Sequence, residues 1–251
     1  MNGPLVVALL AAAGLAASSC REAPPVPQPA APAVAVPRGT IRGHARLAGT
    51  PPRNSTIRLD ADPVCIQAGG GRTAVQQTIV VDADGRLANV FVQLPGSFPA
   101  TAAPTEPVRI DQRGCLYTPR VVGIRIGQPL RVSNSDHGLH NVHGISTGTD
   151  GFNVAQPLVG MTNEFRLKTE GILRLKCDVH PWMIAFIGVV SHPYFAVTGA
   201  EGMFEIRDVP AGVQTIQAWH ERLGVMTVSA RVEADGVAEV EIVYSTQEHG
   251  K

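Results

Sequence analysis

Neither sign of charge prevails in this chain, where 21 basic residues face 21 acidic ones over 251 positions. No cluster of Lys and Arg interleaved with aromatics is present, which sets nucleic acid aside as a partner. A Ser/His/Asp elbow, a glycine-rich phosphate loop and a carboxylate pair with supporting context are equally absent, so none of those chemistries has a visible centre. Long amphipathic helical periodicity is missing as well. The leading apolar run, residues 5–17, is too short to span a bilayer but suits the h-region of a signal peptide. Cysteine is scarce, at four residues, so each one needs an account.

What the chain does have is strand. Runs that alternate apolar and polar side chains recur at 78–82, 87–94, 121–126, 129–133, 164–168, 172–177 and 185–190, with Gly and Pro at the turns. That density reads as an all-β sandwich. Ahead of it, residues 21–38 hold six prolines among Ala and Val without periodicity, an extended spacer rather than part of a core. Leu15-Ala16-Ala17-Ser18-Ser19-Cys20 looks like a bacterial lipobox, whose Cys becomes the lipid-modified first residue of the mature chain. The expected N-terminal organisation is a signal peptide over 1–19 and a lipidated Cys20 with a Pro/Ala-rich linker over 20–38. The protein is then exported, either to the periplasm or as an outer-membrane or cell-envelope lipoprotein; a plain cleaved signal or an uncleaved anchor is the alternative.

The stretch Cys177-Asp178-Val179-His180-Pro181-Trp182-Met183 puts a thiolate, an imidazole and a thioether into one short loop. His140-Asn141-Val142-His143 supplies a second imidazole upstream. A Cys, two His and a distant Met are the donor set of a blue-copper centre. Leu173, Leu175 and Cys177 alternate with Arg174 and Lys176, so Cys177 is expected to end a half-buried strand pointing inward. A lone inward Cys, His or Met is usually core filler, but four suitable donors in two short segments point to a metal. His137 and His143 flank the candidate ligand at three-residue spacing and are read as solvent-facing or hydrogen-bonded, with a second metal as the rival.

With these residues the chain resembles the cupredoxins, the blue type 1 copper family, most closely its amicyanin/plastocyanin type. The matching residues are Gly171, Leu173, Leu175, Cys177, His180, Pro181 and Met183, with His140-Asn141-Val142-His143 upstream. The strand aromatics of the family are leucines here, Trp182 stands where the amicyanin type has Phe, and about sixty residues follow a loop that lies near the family's chain end. The resemblance implies a single type 1 copper ion with His140, Cys177 and His180 as equatorial ligands and Met183 as the axial one, Asn141 tying the ligand loops together. It also implies one-electron transfer with a redox partner protein, a cytochrome or a dehydrogenase, through an imidazole edge of His180 at the surface. A periplasmic copper-binding chaperone and an adhesive or carbohydrate-binding β-module are the alternatives. An enzyme is not expected, since four protein ligands leave a metal no open position.

If Cys20 carries lipid and Cys177 the metal, Cys65 and Cys115 remain and can pair as a disulfide in an oxidising compartment. Separate buried thiols or a further metal site stay open. Past residue 193 the texture turns to hairpins with Gly turns. Thr198-x3-Gly202-x-Phe204-x-Ile206-x2-Val209-Pro210-x-Gly212 resembles the second half of carboxypeptidase regulatory-like, transthyretin-type sandwiches, and Gly39-x-Ile41-x-Gly43-x3-Leu47-x-Gly49 resembles their opening strand. The expected fold is thus a cupredoxin-like Greek-key β-sandwich over 61–191 plus a smaller carboxypeptidase regulatory-like β-sandwich over 192–246. Strand 39–60 belongs to the smaller one; two consecutive domains are the alternative. Trp219-His220-Glu221 and Ser191-His192-Pro193 are read as packing or interdomain hydrogen bonds.

Overall fold

The structure, a computed structural model, describes residue 3 and residues 36–99, 101–146, 148 and 151–246. Apart from residue 3, the expected signal peptide, Cys20 and the linker as far as residue 35 lie outside the described residues. No helix among the described residues is long and apolar enough to cross a membrane.

The N-terminal part forms β1 (Arg38–Ala48), β2 (Thr56–Arg58), the helix α1 (Pro63–Ala68), β3 (Thr73–Val75) and β4 (Phe91–Gln93). The middle forms β5 (Val108–Arg113), β6 (Leu116–Thr118), β7 (Val121–Arg125), β8 (Pro129–Asn134), β9 (His140–Ile145), β10 (Phe152–Gln156), β11 (Thr162–Arg166), β12 (Gly171–Lys176) and β13 (Ile184–Val190). After these come β14 (Phe195–Val197), β15 (Met203–Pro210), β16 (Gly212–His220), β17 (Gly224–Val232) and β18 (Val237–Ser245). The fold is all-β, its strands gathered into several sheets as the sequence alternation leads one to expect. Residues 78–82, read as a strand, make only the bridge Val81↔Leu87. Asn54 accounts for the difference: its side chain bonds Thr78 Oγ1 at 2.6 Å, Ile79 N at 3.0 Å and Ile79 O at 2.7 Å, taking the place of a neighbouring strand.

The strands wrap two cores. Sheets ordered β10-β9-β12-β13-β7 and β11-β8-β5-β6 enclose the first, with Ile110, Ile124, Leu130, Val132, Val142, Leu175 and Ile187 inside. Sheets ordered β15-β1-β18 and β14-β4-β16-β17 enclose the second, built on Ile41, Ala45, Val92, Phe204, Ile216 and Ile242. Alternation along β1 explains its place: Ile41, Ala45 and Leu47 turn inward while Arg42 and Arg46 reach Glu205 and Glu241 on the outside. β1 runs antiparallel to β15 and parallel to β18, with Arg38↔Pro210 and Thr40↔Val237 in register.

Two segments sit across the boundaries drawn from sequence. Ile57 and Leu59 pack in the first core, although 39–60 was assigned to the smaller sandwich. Ile79, Leu87, Val90, Val92 and Leu94 pack in the second core, although 61–191 was assigned to the first. β4 is short and pairs Val92 with Ala196 and Ala218 of the second sandwich, so its apolar residues are drawn there. Its remaining ring, Phe91, enters the seam between the cores with Val121, Val190, Phe195 and Trp219. Gly123 and Gly188 face each other across β7 and β13 and give the rings a flat floor. A Cβ at either would meet Phe195 or Phe91 at 2.4 Å. Beside this seam the side chains of Arg120 and Glu221, 6% and 8% exposed, form an ion pair.

α1 is too short to stand alone. Asp62 caps it by accepting from Val64 N at 2.8 Å, Pro63 opens it where no N–H is needed, and Cys65 ties it to Cys115 in a disulfide spanning 50 residues. Both cysteines are completely buried. Of the possibilities open in the sequence, the disulfide is the one formed.

Candidate metal centre

The hairpin β12–β13 builds the centre. Lys176 pairs with Ile184 at its last rung, and the loop between closes on itself through Cys177 N to Met183 O at 3.2 Å and Met183 N to His180 O at 2.9 Å. Leu173 and Leu175 point inward, so period-2 alternation carries the Cys177 thiol inward too. Cys177 is the one free cysteine among the described residues, and it is buried.

β9 brings the other imidazole. Its alternation turns His140 and Val142 inward, both fully buried, and leaves His143 partly exposed. The 135–139 connection, which crosses from one sheet to the other, is organised by Asn134: its amide donates to Gly138 O at 3.0 Å and Gln156 O at 2.9 Å, and its carbonyl accepts from Asp136 N at 2.9 Å. Asn141 N donates to Cys177 Sγ at 3.4 Å, and the Asn141 side chain bonds both the backbone N–H and the carboxylate of Asp178. The Tyr117 hydroxyl donates to Asn141 O at 2.6 Å, with Lys176 O at 3.2 Å. The two ligand-bearing segments are therefore bonded to each other and to a third strand.

His140, Cys177 and His180 meet. Their donor atoms lie within 4.8 Å of one another; the two Nδ1 atoms are 3.0 Å apart and Cys177 Sγ is 3.8 Å from His180 Nδ1. Metal–imidazole and metal–thiolate bonds of about 2.0–2.3 Å let one ion reach all three. Met183 closes the same loop and is fully buried in the first core. The donor chemistry of imidazoles with a buried thiolate fits copper.

Each imidazole hands its other nitrogen to a carboxylate. His140 Nε2 lies 3.0 Å from Asp136 Oδ2 and His180 Nε2 lies 3.0 Å from Asp62 Oδ2. A carboxylate can only accept, so each Nε2 carries a proton and Nδ1 is the nitrogen that each ring can turn to a metal, once any proton on it is released. Asp136 is fixed in turn by Gly114 N and Cys115 N, both at 2.8 Å. The surroundings favour positive charge. Burial works against protonated His140, yet the bonds to Asp136 and Cys177 raise its pKa to about 9. Burial likewise opposes ionised Cys177, yet the bonds from His140 and His180 lower it to about 6. This is a pocket that prefers a thiolate and a cation.

No family model and no curated protein sequence matches the chain. Among solved structures it is similar to a copper-containing nitrite reductase from Thermus scotoductus SA-01, at 22% identity over 39% of this chain and 25% of that one, with a TM-score of 0.33. It is similar to a purple cupredoxin from Nitrosopumilus maritimus, at 24% identity over 33% of this chain and 98% of that one, TM-score 0.29. A reduced variant of amicyanin matches at 17% identity over 39% and 98% of the two chains, TM-score 0.32. The structural neighbours are cupredoxins. This chain spans a quarter of the nitrite reductase's length. Because a nitrite reductase is an enzyme, the expectation that this chain is not one is withdrawn: four protein ligands close one metal to substrate but say nothing about the rest of a chain.

The surface position expected for the His180 ring is also corrected. His180 is 2% exposed, because Asp62 and Cys65, whose Sγ is 3.4 Å from Nε2, cover that edge. Neither His137 nor His143 joins the centre. His137 is exposed, and His143 Nδ1 bonds the Asp178 carboxylate at 3.0 Å, which also takes Lys176 Nζ at 2.8 Å and Asn153 Nδ2 at 2.9 Å. Sequence reading missed Asp136 and Asp62. Asp136 left a faint signal, standing four residues before His140; Asp62, separated from His180 by 118 residues, left none.

Proposed function

We propose that this chain is a blue, type 1 copper protein that transfers single electrons in the bacterial cell envelope. What carries the reading is the meeting of two imidazole Nδ1 atoms and one free buried thiol from two separate loops. His140, Cys177 and His180 would hold the ion, with Met183 as a weak fourth ligand. Bound copper supplies a centre that changes oxidation state by one electron without exchanging its ligands. The protein's share is to keep that ligand set unchanged: Asp136 and Asp62 fix the imidazole tautomers, while Asn141 and Tyr117 hold the two loops at one spacing.

On the same reading the first sandwich is inserted into the second, whose opening strand β1 pairs with β15 and β18. Export, lipid attachment at Cys20 and a cytochrome or dehydrogenase as redox partner belong to this proposal. The decisive experiment is a visible and paramagnetic-resonance spectrum of the purified chain after addition of Cu(II). An intense thiolate-to-copper band is expected in the wild type and none in Cys177→Ser. A colourless wild type, or a serine variant that stays blue, ends the proposal.

A further inference from the structure

The Nε2 edge of His180 faces a cover drawn from far upstream in the chain. The cover is short, just β2, α1 and β3, but it is fastened on several sides. Ile57 and Leu59 sink into the first core, Cys65 is bonded to Cys115, and Gln76 Nε2 donates to Trp182 O at 3.2 Å. Trp182 Nε1 in turn donates to Cys115 O at 3.0 Å, and its ring stands 5.1 Å from that of His180.

Within the cover Asp62 makes two bonds with two oxygens. Oδ1 accepts from Val64 N, which caps the helix; Oδ2 accepts from His180 Nε2. A cap alone is served as well by Ser or Asn, so the first bond does not call for a carboxylate. The second does, because an ionised acceptor on the far nitrogen of a ligand imidazole orients the ring and strengthens its donor atom. The same arrangement occurs at His140 with Asp136, but there the carboxylate comes from the chain just ahead of the ligand. At His180 it comes from the cover.

We infer that Asp62 is a positioning residue for the metal: it holds His180 with Nδ1 turned to Cys177 and His140, and the disulfide-held segment around it shields that imidazole from water and outside ligands. This rests on the copper reading above. It goes further in assigning the tightness and closure of the site to a segment outside both ligand loops.

The test uses the full chain and its Asp62→Ser and Asp62→Asn variants, with Cu(II) and azide as probes. Serine retains a cap but is too short to reach His180. Copper affinity measured against a competing chelator is expected to fall about 10–100-fold in Asp62→Ser, and azide should change the visible spectrum of that variant but not of the wild type. Asp62→Asn, which keeps the cap and a neutral acceptor, should fall between the two. In the metal-free chain the His180 Nε2 proton should exchange with solvent faster in Asp62→Ser than in the wild type, a readout that capping alone does not move. A wild type that takes up no copper overturns the reading beneath this inference. If the wild type takes it up, and Asp62→Ser equals it in affinity and azide response, this inference alone falls. Should the serine variant not fold, an asparagine variant equal to wild type in both measurements overturns it.

Discussion

His140 in the first sandwich and His220 in the second are equally buried, at 0% and 1% exposure, yet their surroundings push their protonation in opposite directions. His140 has a carboxylate on one nitrogen and a thiol and second imidazole on the other side, and its pKa rises to about 9. His220 accepts from Arg222 N at 3.2 Å and Leu223 N at 3.3 Å through Nδ1, while its Nε2 finds no partner among the described residues. Burial first, then the charges of Arg120 and Arg222, lower its pKa to about 4. One imidazole is surrounded by anions, as a cation site requires; the other serves a turn and is kept neutral. Burial of a histidine therefore says little by itself. The carboxylates aimed at it tell the two uses apart.

The comparison can be broken most forcefully at the disulfide, which belongs to the first sandwich alone. Replacing Cys65 and Cys115 together by Ala frees a loop whose ends are 50 residues apart, a loss of about 4 kcal/mol in the chain-entropy account. Denaturant unfolding followed by tryptophan fluorescence should show the loss, with Trp182 reporting from beside Cys115 and Trp219 from the seam. A change below about 1 kcal/mol would mean that the cover is held by Ile57, Leu59 and Gln76 without its covalent staple.

Much of this was legible in the chain itself. Alternation gave β12 and the inward direction of Cys177, and the two His-bearing segments named His140 and His180, because strand period and ligand loops are local patterns. The pairing of β1 with β15 and β18 was readable only because each side carried its own motif. Asp62 and the burial of His180 were not readable, since they depend on a contact across 118 residues between a turn and a loop that share no pattern. Residues 79–94 were misassigned for a related reason. Alternation says that Val90 and Val92 point into a core but cannot say which of two cores receives them.

A smaller effect tests the second sandwich. In the unfolded chain His220 takes up a proton near pH 6.5, but in the fold only near pH 4. Between these values the unfolded state binds more protons at this residue, so the stability that His220 contributes is full above about pH 6.5 and falls as the pH drops toward 4, by about 3 kcal/mol in all. Asp62 and Asp136, both with lowered pKa values, add losses at lower pH, so the informative quantity is a difference. His220→Asn keeps an acceptor for the turn and should flatten the curve between pH 6.5 and 4 relative to wild type. Identical slopes in the two proteins would show that His220 is protonated in the fold after all.

The seam between the cores should respond less. Gly188→Ala places a Cβ 2.4 Å from the Phe91 ring, which must shift, at a cost of about 1–3 kcal/mol for an overfilled contact. Because Phe91 stands in the seam and not among the donors, the copper spectrum should stay as in the wild type while the thermal midpoint falls. A spectrum that moves with the midpoint would show that the seam and the metal loop are mechanically one, through β13.

The gentlest change separates filler from ligand at Met183. Leu and Met have similar volumes, and such a swap in a core costs under about 1.5 kcal/mol, so Met183→Leu should fold, bind copper and keep its colour. Its loop bonds, Cys177 N to Met183 O and Met183 N to His180 O, are backbone bonds and survive the exchange. What the variant loses is one thioether. If that sulfur is a weak axial donor, the reduction potential should rise, because a donor that helps stabilise the oxidised ion is gone while the three strong ligands remain. Spectroelectrochemistry of the two proteins side by side reads the shift directly. An unchanged potential would make Met183 a packing residue like its neighbours in the first core, and the centre would then rest on His140, Cys177 and His180 alone.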